Sequence, residues 1–584
     1  MPGQSIRRSQ FITTYGPGAI LEGPDGPRVI HTLEQSGIFP NVQPGDHEIV
    51  ERRLSDNALG GARIVAIPSN AQLGLDESRP AYDTSPFPKW SLCVTHSALY
   101  RRSPEDRHAC PLCPPLADKY AAGRRAAAEK SRFVQVCNAG HMQDVDWLGM
   151  VSSMGGTCQG SCRPDYFQWR GGGGALRSVT IRCPTCGGSA NLGLAYARTW
   201  RCSGDFPEER AGGATPPCSV PGSIVQRGAS NVFVPETLTA LTIPPAALEL
   251  HRLLNQSALR VLLSVLQPSN YAALRALLEQ VAASGQVPRG TIDTILAYPE
   301  GEVMRALEDV LRPVAVQSPA EMRLDEYHRL RDAAADGFPL EPGSGRTQFE
   351  VIRSDVRTIP MPFGGTLRVT PVSRLRVVMV QTGYARLGGT AVDRRAVIDG
   401  ESWYPGVELF GEGIFFDLVD EGGRPAPVPV QGQAAGAWSR GAGAAQWADP
   451  DQRDPAFVWL HTLSHRLISA LSLTCGYSSA ALRERIFVEP LPGGARMGGF
   501  LLYTVQPGGD GTLGGLVSLV PTFERVVERA FRDLDSCSND PLCGRERFSP
   551  DRVNGAACYA CLFQSETSCE HRNALLDRNV LLGA

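Results

Sequence analysis

The sequence predicts an α+β protein of several domains. With 584 residues the chain is too long for one hydrophobic core, and its 42% apolar and 20% charged residues match ordinary globular domains. Fifteen of the 16 cysteines fall into two groups, rich in close pairs, toward opposite ends of the chain. We therefore expect a cysteine-rich module near the N-terminus, a central helical domain and a C-terminal α/β domain that carries the second cysteine group.

The first two predicted segments contain few helical patterns. Residues 1–85 are rich in glycine and proline with short apolar runs, which favours strands and loops. Within them, Tyr15-Gly-Pro-Gly18 requires a sharp turn with unusual backbone angles. Residues 86–225 hold ten cysteines and are predicted to form a metal-binding module. An alanine-rich stretch at about 116–131 is the one helix expected there.

The remaining three segments differ in periodicity. Residues 226–345 have leucine and alanine at i, i+3 and i+4 from about position 235 onward, which predicts a helical domain. Residues 346–450 form a β-rich segment, with a loop of small residues expected at about 430–445. Residues 451–584 open with a strong helical pattern at 457–471 and end in the second cysteine group.

The cellular compartment bears on what these cysteines do. The chain opens with no apolar secretory segment and has no run of about 18 apolar residues, so we expect a cytoplasmic protein without membrane contact. Thiols stay reduced in the cytosol, so cysteines at Cys-x-x-Cys spacing indicate metal rather than disulfides. Two such thiolates can bind one tetrahedral zinc ion.

The N-terminal group contains one well-defined site and one of looser spacing. Cys93 and His96 precede a second pair, Cys110 and Cys113, and together they predict a three-sulfur, one-nitrogen zinc site. The second site has the order of a zinc ribbon, although only its first pair is tightly spaced. Its predicted ligands are Cys183, Cys186, Cys202 and Cys218.

Four further residues of this module leave the ligand assignment open. Cys137 and His141 lie four positions apart, as do Cys158 and Cys162. These four residues could form a third site or exchange partners with the ribbon. For Cys137 and His141, a packed thiol and a hydrogen-bonded core histidine are equally compatible with the sequence.

The C-terminal group predicts a closed four-thiolate site. The predicted ligands are Cys543, Cys558, Cys561 and Cys569, with Cys537 as the alternative to Cys543. Four thiolates leave no open position for water or substrate, so such a site stabilises the fold and performs no catalysis. Across the whole chain we expect two to four zinc ions. Cys475 stands alone and is expected to be a buried structural thiol.

Two patterns resemble catalytic motifs but lack a required residue. His461 and His465 have the i, i+4 spacing of zinc proteases, but Thr462 occupies the position of the general base, so a core or interface helix is favoured. The glycine-rich stretch 506–515 lacks the Gly-Lys-Ser/Thr that binds nucleotide phosphates. No enzyme is predicted. The alternatives are a metal-dependent hydrolase or nuclease that uses the two histidines, and a scaffold for protein interaction alone.

Three stretches resemble the DrmB family of the bacterial DISARM anti-phage system. They are residues 7–21 (RRSQFITTYGPGAIL), residues 132–147 (RFVQVCNAGHMQDVDW) and residues 557–578, which contain CYACLFQSETSCEHRN and LDR. The part from about Phe457 onward is also similar to a cysteine-bearing domain at the C-terminus of Mrf-type DNA helicases, where four cysteines are thought to hold a metal.

The resemblance implies a partner rather than an independent activity. It implies a non-catalytic, zinc-stabilised subunit that associates with a DrmA-like superfamily 2 helicase to act on phage DNA. A DNA methyltransferase of the same system would mark host DNA as self. Because the net charge is −3 and the pI about 6.4, any DNA contact must be local. The candidate contacts beside the first zinc module are Arg101, Arg102, Arg124 and Arg125.

Overall fold

The structure is a computed structural model of the chain. It describes residues 6–23, 26–39, 42–76, 79–101, 110–113, 129–155, 162–172, 174–209, 218–243, 250, 253–254, 257–311, 318–338, 349–362, 364–441, 454–506, 515–549, 552–565 and 567–584. Among these residues no helix combines the length and the apolar character needed to cross a membrane. Helices and sheets both occur within one chain, and the predicted α+β class is confirmed.

The two longest described strands, of 20 and 19 residues, lie in the C-terminal half of the chain. The described strands are β1 (Ile20–Gly23), β2 (Gly26–Ile30), β3 (Arg63–Ala66), β4 (Thr84–Pro86), β5 (Trp90–Cys93), β6 (Ala98–Arg101), β7 (Glu129–Lys130), β8 (Phe133–Cys137), β9 (Met142–Gln143), β10 (Tyr166–Arg170), β11 (Thr180–Arg182), β12 (Ser189–Asn191), β13 (Thr199–Cys202), β14 (Cys218–Gln226), β15 (Val234–Thr242), β16 (Phe349–Glu350), β17 (Arg357–Pro360), β18 (Thr366–Ala385), β19 (Val392–Asp393), β20 (Ala396–Ile398), β21 (Glu401–Val419), β22 (Leu482–Pro490) and β23 (Arg496–Gln506).

Ten of the thirteen described α-helices lie after residue 250. The thirteen are α1 (Arg8–Thr13), α2 (Trp147–Met154), α3 (Leu192–Tyr196), α4 (Ser257–Leu266), α5 (Tyr271–Ala283), α6 (Arg289–Leu296), α7 (Glu300–Leu311), α8 (Pro319–Asp336), α9 (Gly432–Gly441), α10 (Pro455–Ser472), α11 (Glu524–Phe531), α12 (Leu542–Arg545) and α13 (Arg578–Leu582).

The chain folds as two compact units, each discontinuous in sequence. The first comprises Met1–Val50, Leu59–Thr239 and Met379–Val407, and the second comprises Glu51–Ala58, Ala240–Val378 and Glu408–Ala584. Whether the five linear segments of the sequence analysis fold as separate domains stays a prediction.

Three antiparallel sheets make up most of the first unit. Their strand orders are β1-β2-β4, β12-β11-β10-β6-β5-β7 and β13-β14-β8-β9. The sharp turn expected at Tyr15–Gly18 is present, with φ of 107° at Gly16 and 92° at Gly18. A Cβ on Gly18 would lie 2.5 Å from the ring of Tyr384, so both the backbone angle and the space require glycine.

The six-stranded sheet has its own hydrophobic core. Leu99, Phe167 and Ile181 from three of its strands pack with Trp147 and other apolar residues of α2. Helix α2 begins where the side chain of Asp146 accepts a hydrogen bond from the backbone N–H of Gly149 at 2.9 Å, which satisfies a free helix-end donor. A real but small core therefore accompanies the cysteines of this region.

The second unit is organised around α10. The side chain of Asp454 caps the N-terminus of this helix, and Pro455 occupies its first turn. Almost every residue of the helix is buried. It packs against β22, β23, α11 and α13. Strand β23 pairs with β21 on one side, from Phe410↔Gln506 to Asp417↔Gly499, and with β22 on the other. The helix predicted at 457–471 thus lies at the centre of the unit.

Helices occur in the segment predicted to be helical, but they begin later than expected. Helices α4 to α7 share an apolar core, and α8 begins with a capping box between Ser318 and Glu321 and ends at Gly337. The start expected near residue 235 is wrong, because Val234–Thr242 is the strand β15. Its valine and threonines are β-branched and favour an extended backbone. The helix expected at 116–131 falls largely on residues outside the described ranges, and Glu129–Lys130 form β7.

The loop expected at 430–445 is also wrong, because Gly432–Gly441 form α9. Trp438 of this helix is fully buried, and its ring stacks on Phe548 with 3.9 Å between the ring centroids. Its Nε1 donates a hydrogen bond to Asp577 Oδ2 at 2.9 Å. Packing of one large side chain therefore outweighs the weak helix propensity of the glycines around it.

Candidate metal centres

Site A consists of Cys93, His96, Cys110 and Cys113, which the structure brings together as the sequence predicted. Cys93 ends β5, and His96 lies in the turn before β6. His96 Nδ1 lies 3.5, 3.8 and 3.4 Å from the sulfurs of Cys93, Cys110 and Cys113, respectively. A zinc tetrahedron has N–S edges of about 3.5 Å and S–S edges of about 3.8 Å. The four ligand atoms of site A therefore have the spacing of a zinc tetrahedron.

The thiols of site A differ in acidity. Burial alone would raise the pKa of Cys93, but hydrogen bonds from the backbone and ring of His96 and from neighbouring thiols lower it to about 7. Burial raises the pKa of Cys110 to about 11. A divalent ion at the centre of the four ligands would stabilise all three thiolates together.

Site B consists of Cys137, His141, Cys202 and Cys218. All four lie at strand ends of the four-stranded sheet: Cys137 ends β8, His141 precedes β9, and Cys202 of β13 is paired with Cys218 of β14. Cys137 Sγ lies 3.3 Å from His141 Nδ1. Burial lowers the pKa of His141, which favours the neutral ring that metal binding requires.

Site C consists of Cys162, Cys183 and Cys186 among the described residues. The predicted grouping of Cys183 and Cys186 with Cys202 and Cys218 is therefore corrected. The reason is sheet membership: Cys162, Cys183 and Cys186 flank β10, β11 and β12 of the six-stranded sheet, whereas the other pair belongs to the four-stranded sheet.

The structure reduces the number of ligand groupings that the sequence left open for this module. Cys137 and His141 join the pair Cys202 and Cys218, and Cys162 joins the pair Cys183 and Cys186. Cys158, the remaining candidate of this module, lies outside the described residues.

Site D consists of Cys537, Cys543, Cys558 and Cys561. The sulfurs of Cys558 and Cys561 are 3.7 Å apart, those of Cys543 and Cys561 are 3.8 Å apart, and those of Cys537 and Cys558 are 3.5 Å apart. These distances match the S–S edges of about 3.8 Å in a four-thiolate zinc site. Both upstream candidates are present, so the predicted choice between Cys537 and Cys543 does not arise.

The prediction that Cys569 is a ligand of the four-thiolate site is wrong. The segment before it is held beside β22, because the Ser568 carbonyl accepts the backbone N–H of Glu484 at 3.1 Å. Cys569 Sγ accordingly lies 3.3 Å from His461 Nε2 of α10. Together with His465 and Glu484, these residues form a fourth described cluster of four candidate ligands.

This buried cluster, which we call site E, contains a residue that the sequence analysis missed. Glu484 lies on β22 between Leu482 and Ile486, on the face that carries apolar residues, and it is fully buried. The sequence did contain a signal for this residue, because Glu484 occupies a position where the alternation of the strand calls for an apolar side chain. Burial alone would raise its pKa, but the imidazoles of His461 and His465 lower it.

Site E bears on the hydrolase alternative. The side chains of His461, His465 and Glu484 are each 0% exposed. Water-activating metal sites keep one position open to water and substrate. The histidine pair lies in the interior of the unit, as the interpretation as a core helix predicted.

Of the four arginines predicted to contact DNA, Arg101 lies among the described residues. Arg101 ends β6 and is exposed to solvent. Arg102, Arg124 and Arg125 lie outside the described residues.

Two parts of the chain match models of known protein families. Residues 7–234 match a domain of unknown function, DUF8724, and residues 463–562 match the MrfA Zn-binding domain. All four cysteines of site D lie within the second range.

The resemblance to DrmB is confirmed by a curated relative. The chain is 28% identical to the DISARM protein DrmB of Bacillus paralicheniformis (strain ATCC 9945a / NCIMB 11709 / CD-2) over 531 residues, which cover 85% of this chain and 88% of that protein. Among solved structures, the DUF1998 helicase MrfA bound to DNA matches 38% of this chain and 22% of its own length, at 12% identity and a TM-score of 0.20. That structural match is too weak to support an argument.

Proposed function

We propose that this chain is a non-catalytic, zinc-stabilised subunit of a DISARM-type anti-phage system that acts with a DrmA-like helicase on phage DNA. The observation that carries the proposal is the similarity to DrmB, which extends over 85% of the chain. The match to the MrfA Zn-binding domain supports the zinc assignment independently.

The chemistry of the clusters supports a structural role for the metal. Sites A, B and D each offer four protein ligands, and site C offers three among the described residues, with Cys158 as its proposed fourth ligand. A zinc ion with four protein ligands has no position left for substrate. Each ion would instead contribute folding free energy to the segment that it holds.

The energy source for work on DNA would be a partner. Within these 584 residues the glycine-rich stretch at 506–515 is not followed by Lys-Ser or Lys-Thr, so it lacks the groups that hold nucleotide phosphates and magnesium. A superfamily 2 helicase would supply the motor. A methyltransferase of the same system would mark host DNA, and we propose a cytoplasmic location, where thiolates stay reduced and available to zinc.

The proposed DNA contacts are the arginines beside site A. A guanidinium that binds phosphate releases counterions, so the logarithm of affinity falls with the logarithm of salt by about 0.9 per contact. Replacing Arg101 and Arg102 by alanine should therefore flatten this slope by about two. A matched control replaces Arg132 and Arg424, whose side chains are 72% and 82% exposed, and it should leave the slope unchanged.

The experiment has two arms. The chain is co-expressed with a DrmA-like helicase, and we expect the two to co-purify and to bind DNA more tightly together than the helicase alone. Filter binding of the chain and of the complex between 50 mM and 200 mM salt follows. Failure to co-purify would overturn the proposal. A salt-independent response of the chain, with no gain in the complex, would favour a protein scaffold without DNA contact.

A further inference from the structure

Site E brings four metal-binding side chains together in the interior of the second unit. His461 and His465 lie one turn apart on α10, Glu484 lies on β22, and Cys569 lies in the C-terminal tail. One ligand atom from each lies within 4.8 Å of the others. The two imidazole rings are perpendicular, at 89°, with centroids 4.6 Å apart. None of the four residues belongs to site D.

The hydrogen bonds of the two rings determine their tautomer. His461 Nδ1 lies 3.2 Å from the carbonyl oxygen of Leu575, and His465 Nδ1 lies 2.8 Å from that of Leu562. A carbonyl oxygen only accepts, so both Nδ1 atoms carry hydrogen and donate. In the neutral rings the Nε2 atoms are therefore bare lone pairs. This arrangement is the usual outer support of a zinc-bound histidine.

Those two lone pairs converge on another acceptor. Glu484 Oε1 lies 2.8 Å from His461 Nε2 and 3.2 Å from His465 Nε2. Three electron-rich atoms at these distances repel one another unless a positive charge stands among them. Protonating one imidazole would satisfy one contact and leave the other repulsive, and two imidazolium ions with no exposure to water would carry a large desolvation cost.

The outer atoms of the cluster already have partners. The hydroxyl of Ser464 donates to the second oxygen of Glu484, which leaves Oε1 as the inward-facing ligand. The backbone N–H of Asn573 donates to Cys569 Sγ at 3.3 Å, a bond that stabilises a thiolate. The lone pairs of the four ligand atoms therefore face one common point.

We propose that His461 Nε2, His465 Nε2, Glu484 Oε1 and Cys569 Sγ bind a second zinc ion in this unit, in addition to the ion of site D. Tetrahedral zinc with N and O ligands at about 2.0 Å has edges of about 3.3 Å, and an N–S edge is about 3.5 Å. The His465–Glu484 distance of 3.2 Å and the His461–Cys569 distance of 3.3 Å lie close to these values. The carboxylate and the thiolate together cancel the charge of Zn²⁺.

The ion joins three parts of the chain that are distant in sequence. It links the central helix α10, the strand β22 and the tail that follows site D, and its full burial excludes water from the metal. Its role is structural, and it would fix the tail against the core of the unit. This inference goes beyond the proposed function, because it concerns the metal content of the chain and holds whether or not a helicase or DNA binds.

Native mass spectrometry of the full chain tests the proposal with matched variants. Cys569→Ser and Glu484→Gln each remove one anionic ligand with little change in volume, and each should lower the count by one zinc relative to the unaltered chain. The controls are Cys475→Ser, at the isolated thiol, and Glu489→Gln, on the same strand. Both controls should keep the full count. An unchanged count in both test variants would overturn the proposal.

A second measurement covers the case in which the test variants fail to fold. Crystals of the unaltered chain, or of its complex, are measured above and below the zinc absorption edge. Two anomalous peaks are expected in the second unit, one among the cysteines of site D and one among the four ligands of site E. A peak at site D with none at site E would show that a proton, rather than a metal, holds the cluster together, and would refute the inference.

Discussion

The burial of Trp438 predicts how much free energy of unfolding the second unit loses when this side chain is changed. Its ring stacks on Phe548, and its Nε1 donates to Asp577, the residue that also caps α13. Truncating a buried tryptophan to alanine costs about 3–5 kcal/mol through lost burial and the remaining cavity. Because the indole N–H bonds to a buried carboxylate, about 1.5–3 kcal/mol of that effect should already appear in Trp438→Phe.

The assay is urea unfolding of the full chain, followed by zinc release and by near-ultraviolet circular dichroism. We expect both the release and the loss of near-ultraviolet circular dichroism to move to lower urea, in the order Trp438→Phe and then Trp438→Ala. Ser439→Ala is the control, because Ser439 is the exposed neighbour on the same helix and its change should stay within about 0.5 kcal/mol. If Trp438→Ala moves the midpoint no further than this control, the reasoning about α9 is refuted.

Three further predictions concern site D, a buried ion pair and the N-terminal turn. Cys561→Ser should release one zinc and expose the tail to proteolysis, since site D contributes folding free energy; an intact tail after limited trypsin digestion would contradict this. Arg485→Met should lower the stability of the second unit by about 3–5 kcal/mol, because it leaves the buried Glu326 without its 2.6 Å ion pair; urea unfolding beside the exposed-site control Arg424→Met measures it. Gly16→Ala should lower the thermal unfolding temperature of the first unit, because the new Cβ would lie 1.9 Å from Gln381 Oε1 and the backbone at this position has a positive φ. The control is Gly228→Ala, where nothing lies within 4 Å of the new Cβ, and it should have a much smaller effect.

The sequence was most informative where chemistry depends on short spacing. Cys93, His96, Cys110 and Cys113 could be grouped correctly because two residues between ligands determine a knuckle whatever surrounds it. The helix around His461 was equally clear, since its apolar periodicity runs for more than four turns. Both features are local, so tertiary context had little opportunity to override them.

Reasoning from the sequence failed where packing decides. Trp438 turned an expected loop into a helix by stacking on a residue more than a hundred positions away. Cys569 follows Cys558 and Cys561 closely enough to suggest a shared ion, yet the backbone pairing of Ser568 with Glu484 directs it to the histidines of α10. No spacing rule contains that contact, because it joins a strand and a tail that are far apart in the chain.

The sequence by itself indicated an α+β chain whose clustered cysteines have the spacing of metal ligands, and three of its stretches indicated the DrmB resemblance. The tertiary structure decided which ligands share a site. Sheet membership separated site B from site C, and the position of β22 brought Glu484 between two histidines. The physical reason is that a tetrahedral ion needs four atoms converging on one point. Residue type and local turns supply pairs of such atoms, but only long-range packing brings the pairs together.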